Sequence, residues 1–131
     1  MCLYTKWRLP REAKEDIHCF KVLKRNKNSN ILWAPVQKKM YRQEKEYKTI
    51  IVRHGEHVNQ GFHACITIER AMNLGAIYAS RKTLKKYDML ILDAIIPAGS
   101  LYYIGDNDEI ASNRIIIKDI KKQLHLCNMF F

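Results

Sequence analysis

The sequence predicts an α+β domain, one unit over residues 1–131, built on a largely antiparallel sheet with one main helix packed on it. Three observations carry this. Residues 89–96 are apolar almost without interruption, the pattern of a strand covered on both faces. Residues 18–24 alternate, with Phe20 and Val22 on one face and Cys19, Lys21 and Leu23 on the other. Only one long stretch, entered at Thr67, repeats apolar residues at helical spacing.

Along the chain, residues 1–16 read as a basic leader. It holds a short helical tract over 11–16, opened by Pro10 near the first-turn position that proline tolerates, and Leu3, Tyr4 and Trp7 supply its packing. The strand over 18–24 ends in the polar cluster 25–30, and 31–34 is a second short strand stopped by Pro35. Residues 46–52 give a third strand, and 53–60 a polar loop that brings His54 and His57 close to the next segment.

Residues 61–66 return as strand. Thr67 serves as the N-cap of a helix to about Ser80, with Glu69 in the first turn where the macrodipole favours an acid. Ile68, Ala71, Met72, Gly75 and Tyr78 or Ala79 form its buried stripe, and Gly75 within it implies close approach to the sheet. Residues 81–86 make a basic connector to the central strand 89–96. Its one interruption, Asp93, is either a satisfied structural carboxylate or a functional one. A turn at 97–100, a strand over 101–104, a second turn at 105–108 and a return strand over 113–118 follow. Asp106, Asp108 and Glu109 form an ordinary turn, not a calcium loop, because the glycine precedes the acids. Residues 119–126 are expected as a last short helix, and 127–131 as an apolar tail that docks.

Composition sets the class. No run approaches the roughly 18 apolar residues that cross a bilayer, and the N-terminus lacks the pattern of a secretory signal, so the expectation is a soluble, cytoplasmic protein with no membrane partner. Cys2, Cys19, Cys65 and Cys127 are too scattered for a disulfide framework and read as reduced thiols. Net charge is +10, concentrated in residues 1–50, where thirteen Lys and Arg face five Asp and Glu. Lys21, Lys24, Arg25 and Lys27 surround one strand end; Lys38, Lys39, Arg42, Lys45 and Lys48 follow, interleaved with Trp33, Tyr41 and Tyr47. Such a surface attracts polyanions, or is simply a solvated basic face.

Residues 61–69, Gly-Phe-His-Ala-Cys-Ile-Thr-Ile-Glu, put two chemically capable side chains at one strand end. No nucleophile elbow, P-loop, dinucleotide fingerprint or zinc spacing accompanies them, so no cofactor is called for. His54, His57, His63 and Cys65 have the softness of metal ligands, but His63 and Cys65 alternate by two on a strand and splay apart, which argues against a metal site. A catalytic pair of His63 as acid or base and Cys65 as nucleophile is the second possibility. The third is a structural His63 whose ring bonds a backbone carbonyl or Asp93. Phe62 and Ala64 should face the core, and His63 and Cys65 the other side.

The segments Met-Cys-Leu-Tyr-Thr-Lys at 1–6 and Glu-Asp-Ile-His-Cys-Phe-Lys-Val-Leu at 15–23 resemble small uncharacterised proteins of gut bacteria and their phages, as does Gly-Phe-His-x-Cys at 61–65. That resemblance implies a lineage and carries no activity. A weaker one runs to the ADP-ribosyltransferase-like fold: Lys21 on an early strand, the run from His63 to Thr67, and the late strand from Ser112 to Ile117 match its order. Arg114 stands where that family has its catalytic glutamate, so the resemblance implies a binder, or an enzyme of different chemistry, in place of a transferase.

The expectation is a binding module for an anionic partner, nucleic acid or nucleotide, through Lys21, Lys24, Arg25, Lys27, Phe62 and His63. The alternatives are a nucleotide-using enzyme with His63 and Cys65 at its centre, and an accessory or inhibitor that offers a basic face to an acidic protein.

Overall fold

A computed structural model describes residues 3–125 of the chain. Its elements in order are β1 (Leu3–Tyr4), β2 (Arg11–Glu12), β3 (Ile17–Asn26), β4 (Leu32–Trp33), β5 (Met40–Tyr41), β6 (Glu46–Lys48), β7 (Val52–His54), β8 (His57–Gln60), β9 (Phe62–Cys65), α1 (Ile68–Tyr78), α2 (Arg81–Lys86), β10 (Tyr87–Ile96), β11 (Leu101–Ile104), β12 (Glu109–Ser112) and β13 (Arg114–Leu124). The class is α+β with a mostly antiparallel sheet, as the strand patterns require. Alongside the expected helix stands a second, short one.

The frame is β3 and β10, paired antiparallel without a break from Tyr87↔Asn26 to Ile96↔Ile17. β10 is central because both its faces are apolar. Leu90, Leu92, Ala94 and Ile96 enter one core with Cys19, Leu23, Phe62, Ala64, Ile115 and Ile117. Met89 and Ile91 face the other way, under α1, with Val22, Cys65, Ala71, Leu74 and Leu124. β13 pairs along the far edge of β10 with register shifts on either side of Leu92, irregularities that increase local twist and curl. The large sheet runs β2-β11-β12-β9-β3-β10-β13-β6, with β4 and β5 attached through β3. It curls enough for Tyr47 on β6 to bring its ring within 6.5 Å of Phe62 on β9. A small sheet, β1-β8-β7, closes a third core of Leu3, Val58, Tyr103 and Ala111.

Helix α1 starts where the sequence says it should: the Thr67 side chain accepts from the Arg70 N–H, with Glu69 in the first turn. Its buried side is Ala71, Leu74 and Gly75, flanked by Ile68, Met72, Tyr78 and Ala79. A Cβ on Gly75 would lie 2.3 Å from Leu124 Cδ1, so the absent side chain is what lets α1 sit down on β13.

Several segments depart from the sequence expectation. Residues 81–86 are not a connector but α2, capped by Ser80 and carrying Lys85 and Lys86 in its last turn. Residues 11–16 are not helical; Arg11 and Glu12 pair with β11 as an edge strand. Of the helix expected over 119–126, residues 119–124 are strand instead, because β13 continues to Leu124 against Met89 and Leu90, and residue 126 lies outside the described residues. The strand expected over 46–52 is interrupted, and 53–60 is a β7–β8 hairpin instead of a loop. Glu109–Ser112 is a strand buried throughout, between β11 and β9. The expected tail at 127–131, with Cys127, and Cys2 lie outside the described residues. Among the described residues no helix is long and apolar enough to cross a membrane.

Candidate ligand-binding cleft

Along one edge of β3 the strand partners change. Phe20 pairs with Cys65 of β9, Lys24 and Arg25 pair with Trp33 and Leu32 of β4, and, among the described residues, 21–23 have no strand partner on that edge. The sheet splits there. The split is roofed by residues 34–37 between β4 and β5, and α1 closes it from the side. The resulting cavity, about 80 Å³, is lined by Lys21, Val22, Tyr41, His63, Cys65 and Tyr78 together with the 34–37 loop. By volume it takes two or three waters, at roughly 30 Å³ each, or one small charged group.

Lys21 reaches across the split and donates from Nζ to the carbonyl oxygen of His63. Its alternation with Cys19 and Leu23 turns it inward, and burial pushes its pKa down to about 8 against the raising effects of Cys19 and Cys65, with a smaller lowering by Lys39. Lys39 packs on the same aromatic cluster but does not line the cavity. Its Nζ is 4.2 Å from the centroid of Phe62 and 5.4 Å from that of Tyr41, and Lys21 Nζ is 5.5 Å from the Tyr41 centroid. Lys39 too is held below the ordinary lysine value by burial. Among the described residues neither lysine forms an ion pair with an Asp or Glu. Burial, with Tyr47 nearby, pushes Tyr41 up to about 12, so it stays a neutral phenol.

His63 bonds the Val58 carbonyl through Nε2 at 3.0 Å. A carbonyl can only accept, so Nε2 carries the proton. Burial pushes the imidazole pKa down to about 4, against the raising effect of that bond, and Lys21 adds to the depression. Cys65 is pushed up to about 11 by burial and by Glu109, and Cys19 up to about 12 by burial. Near neutral pH the cleft therefore presents the His63 imidazole and the Cys65 thiol in their uncharged forms. The thiolate–imidazolium arrangement that activates a catalytic cysteine is not favoured by this environment.

The other residues singled out from sequence sit elsewhere. Phe62 is buried beneath Lys39 in the first core. Lys24 lies over the Tyr87 ring, 4.4 Å to its centroid; Arg25 is paired with Asp88 at 3.1 Å; Lys27 is exposed on the turn beyond them. These three belong to the far end of β3, so Lys21 parts company with the basic patch. His54 and His57 face each other across their hairpin, His57 4.2 Å from the Tyr4 ring, and neither lines the cleft. No group of three His, Cys, Asp or Glu among the described residues is placed to hold a metal ion. Asp93 bonds His18 at 2.9 Å, not His63.

Sequence reasoning did not reach Tyr41 as a cleft residue or Lys39 as its neighbour, nor Arg70 and Glu109. Glu109, expected in a turn, opens β12 beside Cys65 and accepts from Arg70 at 2.7 and 3.2 Å. Arg114, at the place of the glutamate in the ADP-ribosyltransferase-like order, is tied to Glu46 at 2.7 Å.

Compared with protein-family models, with curated proteins and with solved structures, the chain gives no match.

Proposed function

We propose that this protein binds a small anionic ligand of the nucleotide class, with a phosphate group seated between Lys21 and Lys39. The observation that supports this is the pair of partly desolvated ammonium groups near one phenol ring, neither of them paired with an acidic residue among the described residues. An anion entering the split supplies the missing counter-charge and accepts the N–H groups of Lys21 that the His63 carbonyl leaves over. Tyr41 and Tyr78 add aromatic surface for the rest of the ligand. The ADP-ribosyltransferase-like resemblance points to the same ligand class. Free thiols at Cys19 and Cys65 suit a reducing, cytoplasmic setting.

Calorimetric titration with inorganic phosphate, mono- and triphosphate nucleotides and short oligonucleotides tests the reading. Nucleotide affinity should fall at least tenfold in Lys21→Ala and in Lys39→Ala, and hold in the triple variant Lys24→Ala, Arg25→Ala, Lys27→Ala. Equal losses in all three, or no binding at low salt, would end the proposal. A second reading, an acidic protein partner on the hairpin, is supported by exposed Ile31, Val36 and Met40 among the lysines of residues 38–48. Oligonucleotide binding that is lost only in the triple variant and falls steeply with salt would instead assign the basic patch to nucleic acid.

A further inference from the structure

We propose that Lys21 is an amine nucleophile, and that the cleft condenses it with a small carbonyl compound bearing an anionic group, such as a 2-oxo acid or a phosphorylated aldehyde, to form an imine. The inference deepens the anion-binding reading and rests on it for the anionic group.

The geometry is that of an activated lysine. The side chain points inward between Cys19 and Leu23, its amine lies in a cavity, and the only side-chain hydrogen bond found for it among the described residues runs to a backbone carbonyl. A second cation, Lys39, lies near the same Tyr41 ring, its Nζ 5.4 Å from the centroid against 5.5 Å for Lys21. An amine that is both desolvated and beside another cation loses its proton readily, and the free amine is the attacking form. With the pKa drawn down to about 8, the neutral amine is far more populated near pH 7.5 than in an ordinary lysine. Lys39, which packs on Tyr41 and Phe62 beside the cavity and does not line it, is the anchor for the ligand's carboxylate or phosphate. The surroundings supply no competing chemistry, since Cys65 and Cys19 are held as thiols.

The step balances without an oxidant. The nitrogen lone pair forms a C–N bond with the carbonyl carbon, and the carbonyl π pair moves to oxygen, which takes a proton. The nitrogen gives up its two protons, the C–O bond breaks, and the oxygen leaves as water. The product is a C=N bond between Lys21 and the former carbonyl carbon. Water in the open cleft carries the protons.

The test is reductive trapping on the unaltered protein, which needs no variant to fold. Glyoxylate, with formaldehyde as the neutral comparison, is added below stoichiometry with cyanoborohydride between pH 6 and 9.5, and the adducts are mapped by peptide mass analysis. Lys21 should be labelled at least tenfold faster than any other lysine. Its rate should level off above about pH 8 while exposed lysines go on rising, and phosphate should protect it. Lys39→Ala should slow glyoxylate far more than formaldehyde. Labelling spread evenly over exposed lysines, or an unlabelled Lys21 in protein that still binds phosphate, overturns the imine and leaves the anion site standing. Labelling at Lys21 with no phosphate binding or protection upholds the nucleophile and removes the anion site.

Discussion

Replacing Lys21 by Met should make the protein more stable. The ammonium is held in a place that lowers its pKa from 10.5 to about 8, and such a shift corresponds to about 3 kcal/mol of penalty on the charged form. Met fills the same channel with similar length and no charge. Losing the bond to the His63 carbonyl gives back about 1 kcal/mol, so the net gain near neutral pH is about 2 kcal/mol, or a rise in Tm of roughly 8 °C for a domain of this size. The pH dependence separates this cause from better packing. Below pH 8 both folded and unfolded lysine are protonated and the whole penalty is present. Between pH 8 and 10.5 the folded lysine sheds its proton before the unfolded one, so the wild-type chain recovers stability, and the variant's advantage falls through zero to a deficit of about 1 kcal/mol, the lost bond. Urea unfolding of both proteins at pH 7 and pH 10.5 measures the difference. A Lys21→Met protein less stable than wild type at pH 7, or a gain that does not change with pH, would show that Lys21 is not the desolvated cation described here.

His63→Ala should cost about 1–3 kcal/mol, because it strands the Val58 carbonyl. The wild-type chain should lose up to about 3 kcal/mol as pH falls from 6.5 to about 4, where only the unfolded imidazole takes up a proton; urea midpoints across that range should show a slope that His63→Ala flattens. Arg70→Met leaves the Glu109 carboxylate, whose side chain is 8% exposed, without its partner, and should cost about 3–5 kcal/mol. The double variant Arg70→Met, Glu109→Met should recover most of that loss in the same measurement.

The frame of this fold was legible because its signals are local. The apolar run from Met89 to Ile96 has no reading but a two-faced strand, and Thr67 can cap only the helix that follows it. The misread segments are those where tertiary pairing overrides local preference. Asp-Ile-Lys-Lys-Gln-Leu at 119–124 is polar enough to pass for a helix, yet it lies against Met89–Leu92 and is held extended by that partner. Arg11 and Glu12 belong to a helix-favouring run until β11 offers them an edge. Glu109–Ser112 is four residues with no alternation, hidden behind a turn.

The cleft was half legible. Gly61–Cys65 drew attention as a strand end, and the inward position of Lys21 was written in its alternation with Cys19 and Leu23, although its charge invited grouping with Lys24, Arg25 and Lys27. Nothing local joins Lys39 and Tyr41 to Lys21. They meet only because the β4–β5 hairpin folds back across the place where the sheet divides.

That division gives the cavity walls of unequal stiffness. One wall is β3, locked to β10 over ten consecutive residue pairs; the other is a hairpin whose strands are two residues long and pair at Leu32↔Tyr41 and Trp33↔Met40. Admitting a guest by displacing the hairpin breaks few bonds, whereas moving Lys21 means disturbing the centre of the sheet. Such a receptor keeps the Lys21 amine fixed and lets its rim, with Lys39 on it, adapt. Changes of residue between Pro35 and Met40 can then alter which guests enter without touching the amine that meets them.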